Sequence, residues 1–218
     1  MSHAGSTSIP VGRETLDASL DVPDTARAVV VFAHGAGSSR LSPRNVRVAQ
    51  LLRSTGEFGT LLFDLLTSEE DRRYEHRFDI DLLAERLAVA TRWARIQTCC
   101  HSLPVAYFGA STGAAAALRA SVALPDIVIA VVSRGGRPDL AGASLAEVRV
   151  PVLLIVGGAD TTVLRLNESA RQRIPAPTEL EVIPRATHLF EEPGALDEVA
   201  HLTLDFLERH LPAEEFVR

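Results

Sequence analysis

Six short apolar runs alternate with longer amphipathic stretches from Ala28 onward, and that rhythm restricts the fold more than any other feature of the chain. Ala28 to Phe32 is apolar and rich in valine, as a strand buried on both faces requires, and a glycine-rich turn and a helical stretch from Pro43 to Ser54 follow it. Thr60 to Phe63, Val105 to Phe108, Ile127 to Val132, Val152 to Val156 and Glu179 to Ile183 repeat the strand signal. Helical patterns near Ile80 to Ile96, Thr162 to Arg173 and Ala195 to Arg209 are interleaved with them. This alternation predicts an α/β fold: a mostly parallel central sheet, helices on both faces, and functional side chains gathered beyond the C-terminal ends of the strands. Ahead of it, Ile9 to Leu20 alternates loosely and predicts an antiparallel edge hairpin, with residues 1–8 expected to form a flexible tail.

At 218 residues and 46% hydrophobic content the chain can bury one substantial core, so residues 1–218 are read as a single domain. The segment between Val132 and Val152 is too short for a separate cap domain. A compact site open to solvent is therefore expected, suited to small or protruding substrates rather than long buried lipid chains.

A formal net charge of −6 and a pI near 5.6 provide no broad attraction for nucleic acid or an anionic membrane surface. The chain contains no lysine. Schiff-base chemistry, a Ser-Lys dyad and a P-loop all need that ammonium and are excluded. Cys99 and Cys100 are the only cysteines, and adjacent cysteines rarely bridge, so no disulfide framework is implied. Both precede the strand Val105 to Phe108, at the wrong edge of the sheet for a nucleophile. Met1 to Ser8 lacks an apolar signal region, and a cytoplasmic setting is expected.

The chemistry concentrates after the third of these strands. Gly109-Ala110-Ser111-Thr112-Gly113 joins Val105 to Phe108 to an alanine-rich helix, a strand–tight turn–helix context that lifts one serine hydroxyl clear of the sheet. Gly109 and Gly113 stand where side chains would collide across the turn. A serine hydroxyl needs a base to take its proton and an acid to fix the tautomer of that base. His188, in the loop after Glu179 to Ile183, is the candidate base. Asp160, after the strand and glycine turn ending at Gly157-Gly158-Ala159, is the candidate acid, with Asp139 as its rival. Ser, Asp and His thus all follow strands, in that chain order. His34-Gly35-Ala36-Gly37, after Ala28 to Phe32, should supply one oxyanion-hole amide through Ala36, with Gly37 as runner-up, and Thr112 the other. His34 itself reads as a hydrogen-bonding strut for that turn.

Competing chemistries fit less well. A dinucleotide fingerprint at Gly35 fails because Arg40 stands where its third glycine belongs. No His/Cys cluster has metal-ligand spacing, and neither a metal nor an organic cofactor is implied. Arg72, Arg73, His76 and Arg134 lie on the same sheet edge as Ser111 and are candidate substrate contacts, because arginine forks suit carboxylate or phosphate. For the loop Thr67 to Asp79, a solvated, internally paired charge cluster is the favoured reading.

His34-Gly35-Ala36-Gly37, Gly109 to Gly113, Asp160 and His188 together resemble the α/β-hydrolase superfamily, specifically its small dienelactone-hydrolase-like members, over nearly the whole chain. The resemblance implies Ser111 as nucleophile, Asp160 as acid, His188 as base and the amides of Ala36 and Thr112 as the oxyanion hole. Dienelactone hydrolases carry cysteine where this chain has Ser111, so a general ester, thioester or lactone hydrolase is the expectation. Similar domains also occur joined to phosphoribosyltransferases, and no such domain lies within these residues. The expected partner is a small ester; no oligomeric state is read from the sequence. The competing class is a non-catalytic scaffold of the same fold that binds a ligand or protein.

Overall fold

The computed structural model describes residues 3–212. Eight strands form one sheet: β1 (His3–Val11), β2 (Glu14–Val22), β3 (Ala28–Ala33), β4 (Phe58–Phe63), β5 (Val105–Ala110), β6 (Val128–Arg134), β7 (Val152–Gly157) and β8 (Thr178–Ile183). Five α-helices cover it: α1 (Pro43–Ser54), α2 (Ile80–Ile96), α3 (Thr112–Ala123), α4 (Thr161–Arg173) and α5 (Ala195–Arg209). The strand order is β1-β2-β4-β3-β5-β6-β7-β8. β3 to β8 run parallel, while β2 joins β4 antiparallel and carries β1 as the edge hairpin.

Alternation along the strands distributes the core. Val29, Val31 and Ala33 of β3 face α2 and α3, where Leu83, Leu87 and Ala115 to Leu118 pack. Ala28, Val30 and Phe32 face the opposite layer, with Val48 and Leu52 of α1 and Val199 and Phe206 of α5. Both faces of β3 are dry, which explains its unbroken apolar sequence. The chain's order reverses at β3, whose neighbours are β4 on one side and β5 on the other. The connections leaving β3 and β5 diverge there and open a crevice at the carboxyl ends of the strands.

The hairpin is longer than its sequence suggests. Residues 3–8, expected as part of a flexible tail, are strand: Ser6 pairs with Ser19, Thr7 with Ala18 and Ser8 with Asp17. Small polar side chains hide a strand held by backbone hydrogen bonds, since the ladder does not require apolar alternation. Residues 1–2 of that tail lie outside the described residues. Between β6 and β7 the chain makes short 3₁₀ turns over Pro138–Glu147 that pack on α3 and α4, and no separate cap is present among the described residues. No helix among them is long and apolar enough to cross a membrane.

Candidate active site

Ser111 joins β5 to α3 with φ 51° and ψ −119°, a left-handed conformation that costs a non-glycine residue energy and holds its side chain at the crevice. Two close approaches enforce the turn. A Cβ on Gly109 would lie 2.5 Å from Ala114 Cα, and one on Gly113 would lie 2.6 Å from the His34 carbonyl oxygen and nearer still to that of Ala33. The His34–Gly37 turn rests on the serine, since a Cβ on Gly35 would meet Ser111 Cβ at 3.1 Å.

Asp160 and His188, 28 residues apart in sequence, meet across the ends of β7 and β8, with His188 Nδ1 2.7 Å from Asp160 Oδ2. Gly157 permits this: a side chain there would strike the Thr187 backbone, so the loop carrying His188 lies directly on the end of β7. The other Asp160 oxygen accepts from Val163 N at 3.4 Å, capping α4. One carboxylate thus starts a helix and orients an imidazole. With Nδ1 donating to Asp160, Nε2 of a neutral ring is a free acceptor. Asp139, the rival acid, is held in a two-pronged pair with Arg137 at 2.9 and 2.8 Å and does not pair with His188.

His34 is the strut its sequence position suggests. Leu65 N donates to its Nε2 at 3.0 Å, which leaves the proton on Nδ1 to donate to the Gly35 carbonyl at 2.9 Å. Burial lowers its pKa and keeps the ring neutral. The two amides expected to be free differ. Thr112 N, at the first position of α3, has no hydrogen-bond partner among the described residues. Ala36 N is instead taken: it donates to Thr112 Oγ1 at 2.9 Å. The side chain following Ser111 thus satisfies an amide that sequence reasoning leaves open, because only the fold brings positions 36 and 112 together. Gly37 lines a neighbouring cleft beside Arg77.

A cavity of about 210 Å³ collects Ser111, His188, Gly35, Ala36, Arg134 and Arg44, among others. No hydrogen bond joins Ser111 Oγ to His188 among the described residues; in unliganded sites that contact is often long and tightens with substrate. Of the four candidate substrate contacts, only Arg134 is in this cavity. Arg72 is exposed, Arg73 sits 3.9 Å from Glu75 at the surface, and His76 Nδ1 is bonded to the Glu70 carbonyl at 3.1 Å. Within that loop Arg77 pairs with Asp71, and Glu70 pairs with Arg86 of α2. Sequence reasoning does not single out Arg44. The sequence signal is there, since Ser42-Pro43 starts a helix just after the His34–Gly37 turn and places residue 44 in its first turn. The cysteines are free, and burial pushes the Cys100 thiol up to about 12, far from a thiolate.

No family model matches the chain. A Mycobacterium tuberculosis protein with the provisional name phosphoribosyl transferase is 58% identical over 192 residues, 88% of this chain, and the chain spans 43% of that relative's length. Among solved structures, a lidless α/β serine hydrolase from Xanthomonas campestris shares the fold at TM-score 0.79 and 21% identity, covering 96% of each chain. The crystal structure of a dienelactone hydrolase from Anabaena variabilis superposes at TM-score 0.92 with 49% identity, over 97% of this chain and 99% of that one. Identity of that order over nearly the full length of both chains makes this chain a member of the dienelactone-hydrolase-like α/β hydrolases.

Proposed function

We propose that the chain hydrolyses small carboxylic esters, thioesters or lactones through a Ser111–His188–Asp160 triad. The observation that carries this reading is the 2.7 Å contact of His188 Nδ1 with Asp160, in a ring that lines the same cavity as the strained Ser111. His188 Nε2 takes the Ser111 proton as Oγ attacks the carbonyl carbon, and Asp160 stabilises the resulting imidazolium. Thr112 N and, once the carbonyl oxygen displaces Thr112 Oγ1, Ala36 N donate to the oxyanion. Collapse passes the proton from His188 to the leaving alcohol, thiol or lactone oxygen and leaves Ser111 acylated. Water, deprotonated by the same nitrogen, then attacks the acyl carbon, and the proton returns to Ser111 as the acid departs.

The expected outcome is hydrolysis of nitrophenyl acetate that Ser111→Ala abolishes; wild-type rates in a purified S111A sample would refute Ser111 as nucleophile. A second reading, a scaffold of this fold that binds without turnover, draws on the Ala36 amide being satisfied within the resting protein. A fluorophosphonate probe separates them, because an activated serine is labelled at Ser111 and a scaffold is not. We assign this chemistry to the present chain and read the phosphoribosyl transferase name as belonging to the remaining length of the longer relatives.

A further inference from the structure

Arg134 is an unusual charge. It ends β6, is only 6% exposed, and forms no ion pair or hydrogen bond through its side chain among the described residues; its Nε is buried without a partner. The Phe190 ring lies 5.8 Å from the guanidinium carbon, a contact that does not neutralise the charge. Burial and the nearby positive charge of Arg44 pull its pKa down to about 10, so it remains charged at neutral pH. Arg44 is partly compensated: its Nε is buried and unpartnered, its side chain is 29% exposed, and the carboxylate it pairs with among the described residues, Glu191, is 3.8 Å away and 68% exposed. Both line the cavity that holds Ser111 and His188.

A third positive element converges on the same place. Ser42, Arg44 and Asn45 belong to the cap and first turn of α1, and they line this cavity. That turn carries no acidic residue, so no carboxylate offsets the positive end of the helix, while Ser42 Oγ caps the Asn45 amide at 3.5 Å. Buried cations are normally paired. Two guanidinium groups and a helix N-terminus without a buried carboxylate are arranged for an anion that arrives with the ligand. Two full positive charges match a dianion better than a singly charged group, which points to phosphate rather than carboxylate.

We propose that this corner of the cavity is a phosphate subsite: the substrate of the proposed ester hydrolysis carries a phosphate-monoester dianion, held by Arg134 and Arg44 at the start of α1, with its acyl carbonyl beside Ser111. The inference rests on the hydrolase reading for the reaction but not for the binding. Binding is tested by titrating the protein with inorganic phosphate, and with acetate in parallel, using calorimetry. Phosphate binds in the millimolar range or tighter and acetate about tenfold or more weaker. Arg134→Met and Arg44→Met each weaken phosphate about tenfold or more, and Arg134→Lys, which keeps the charge but loses the fork, weakens it less. Arg44→Met at the cavity rim serves if the buried replacement fails to fold by circular dichroism. In kinetics, the preference for acetoxyethyl phosphate over neutral ethyl acetate, measured as a ratio of kcat/KM, falls about tenfold or more in the same variants. No phosphate binding, equal or better acetate binding, or binding unchanged in both arginine variants would overturn the subsite. Fluorophosphonate labelling run alongside separates the failures: labelling without phosphate binding sinks the subsite alone, and phosphate binding lost in the arginine variants without labelling sinks the hydrolase reading alone.

Discussion

Replacing Gly113 by alanine tests whether one close backbone approach sets the geometry of the site. The added Cβ would lie 2.6 Å from the His34 carbonyl oxygen, and closer to that of Ala33. Carbon–oxygen contacts between chain segments settle at about 3.3 Å or more. The His34 carbonyl must therefore retreat about 0.7 Å, and Ala33 further. Both belong to or directly follow β3, which is buried on both faces, so neither can move without its strand or α3. Overpacking of a core costs about 1–3 kcal/mol when side chains can adjust; with two backbone carbonyls as the obstacle, G113A is expected at the top of that range, about 3 kcal/mol. The same movement carries the Ala36 turn away from Ser111, and a displacement approaching 1 Å near reacting atoms can cost about a hundredfold in rate. Urea unfolding, comparing midpoints and slopes, measures the first quantity and nitrophenyl acetate turnover the second. Gly5→Ala is the control: nothing lies within 4 Å of its added Cβ, and its stability should stay within about 0.5 kcal/mol of the parent. A G113A protein matching G5A in both stability and turnover would refute the argument.

Three further perturbations have definite outcomes. Asp160→Asn keeps the cap on α4 but loses the carboxylate at His188, so turnover falls about 10³–10⁴-fold while thermal unfolding shows stability altered by less than about 1 kcal/mol; a near-normal rate would remove Asp160 from the reaction. Thr112→Val frees the Ala36 amide from a bond worth about 1 kcal/mol, so kcat/KM rises by up to about fivefold, whereas a tenfold fall would mean that the hydroxyl itself serves the substrate. His34, whose folded pKa lies below its ordinary 6.5, contributes stability that is present above pH 6.5 and is lost as pH falls through the depressed folded value. Urea unfolding between pH 7.5 and 5 should show this slope, at most about 1.4 kcal/mol per pH unit, and His34→Gln should flatten it; an identical slope in both proteins would exclude His34 as its source.

Local signals are strongest where the chain states them twice. α1, α2 and α5 have the ends their sequences predict, because a cap such as Ser42 or Asp79 coincides with the start of an amphipathic pattern. The strand–turn–helix around Ser111 was legible for the same reason: glycines at 109 and 113, a preceding apolar run and a following alanine run all require one local geometry. Residues 3–8 were not legible as strand, since Ser6, Thr7 and Ser8 owe their conformation to a partner strand rather than to their own pattern.

Partnership separates what the amino-acid sequence determined from what the tertiary structure decided. Strand and helix identity, the placement of Ser111, Asp160 and His188 beyond strand ends, and the absence of lysine chemistry follow from the chain itself, because they depend on residue type and on contacts a few positions apart. Which polar group meets which depends on distances that only folding closes. Asp160 reaches His188 while Asp139 stays with Arg137, two residues away. Thr112 Oγ1 occupies the Ala36 amide across 76 positions. Arg72 and Arg73 remain at the surface, and Arg134, read with them only as one more arginine on the same sheet edge, is buried in the cavity of Ser111 without a counter-charge among the described residues. Charge is a property of the residue, but desolvation and pairing are properties of the fold, and in this protein they leave Arg134 buried in the cavity with its Nε unpartnered among the described residues.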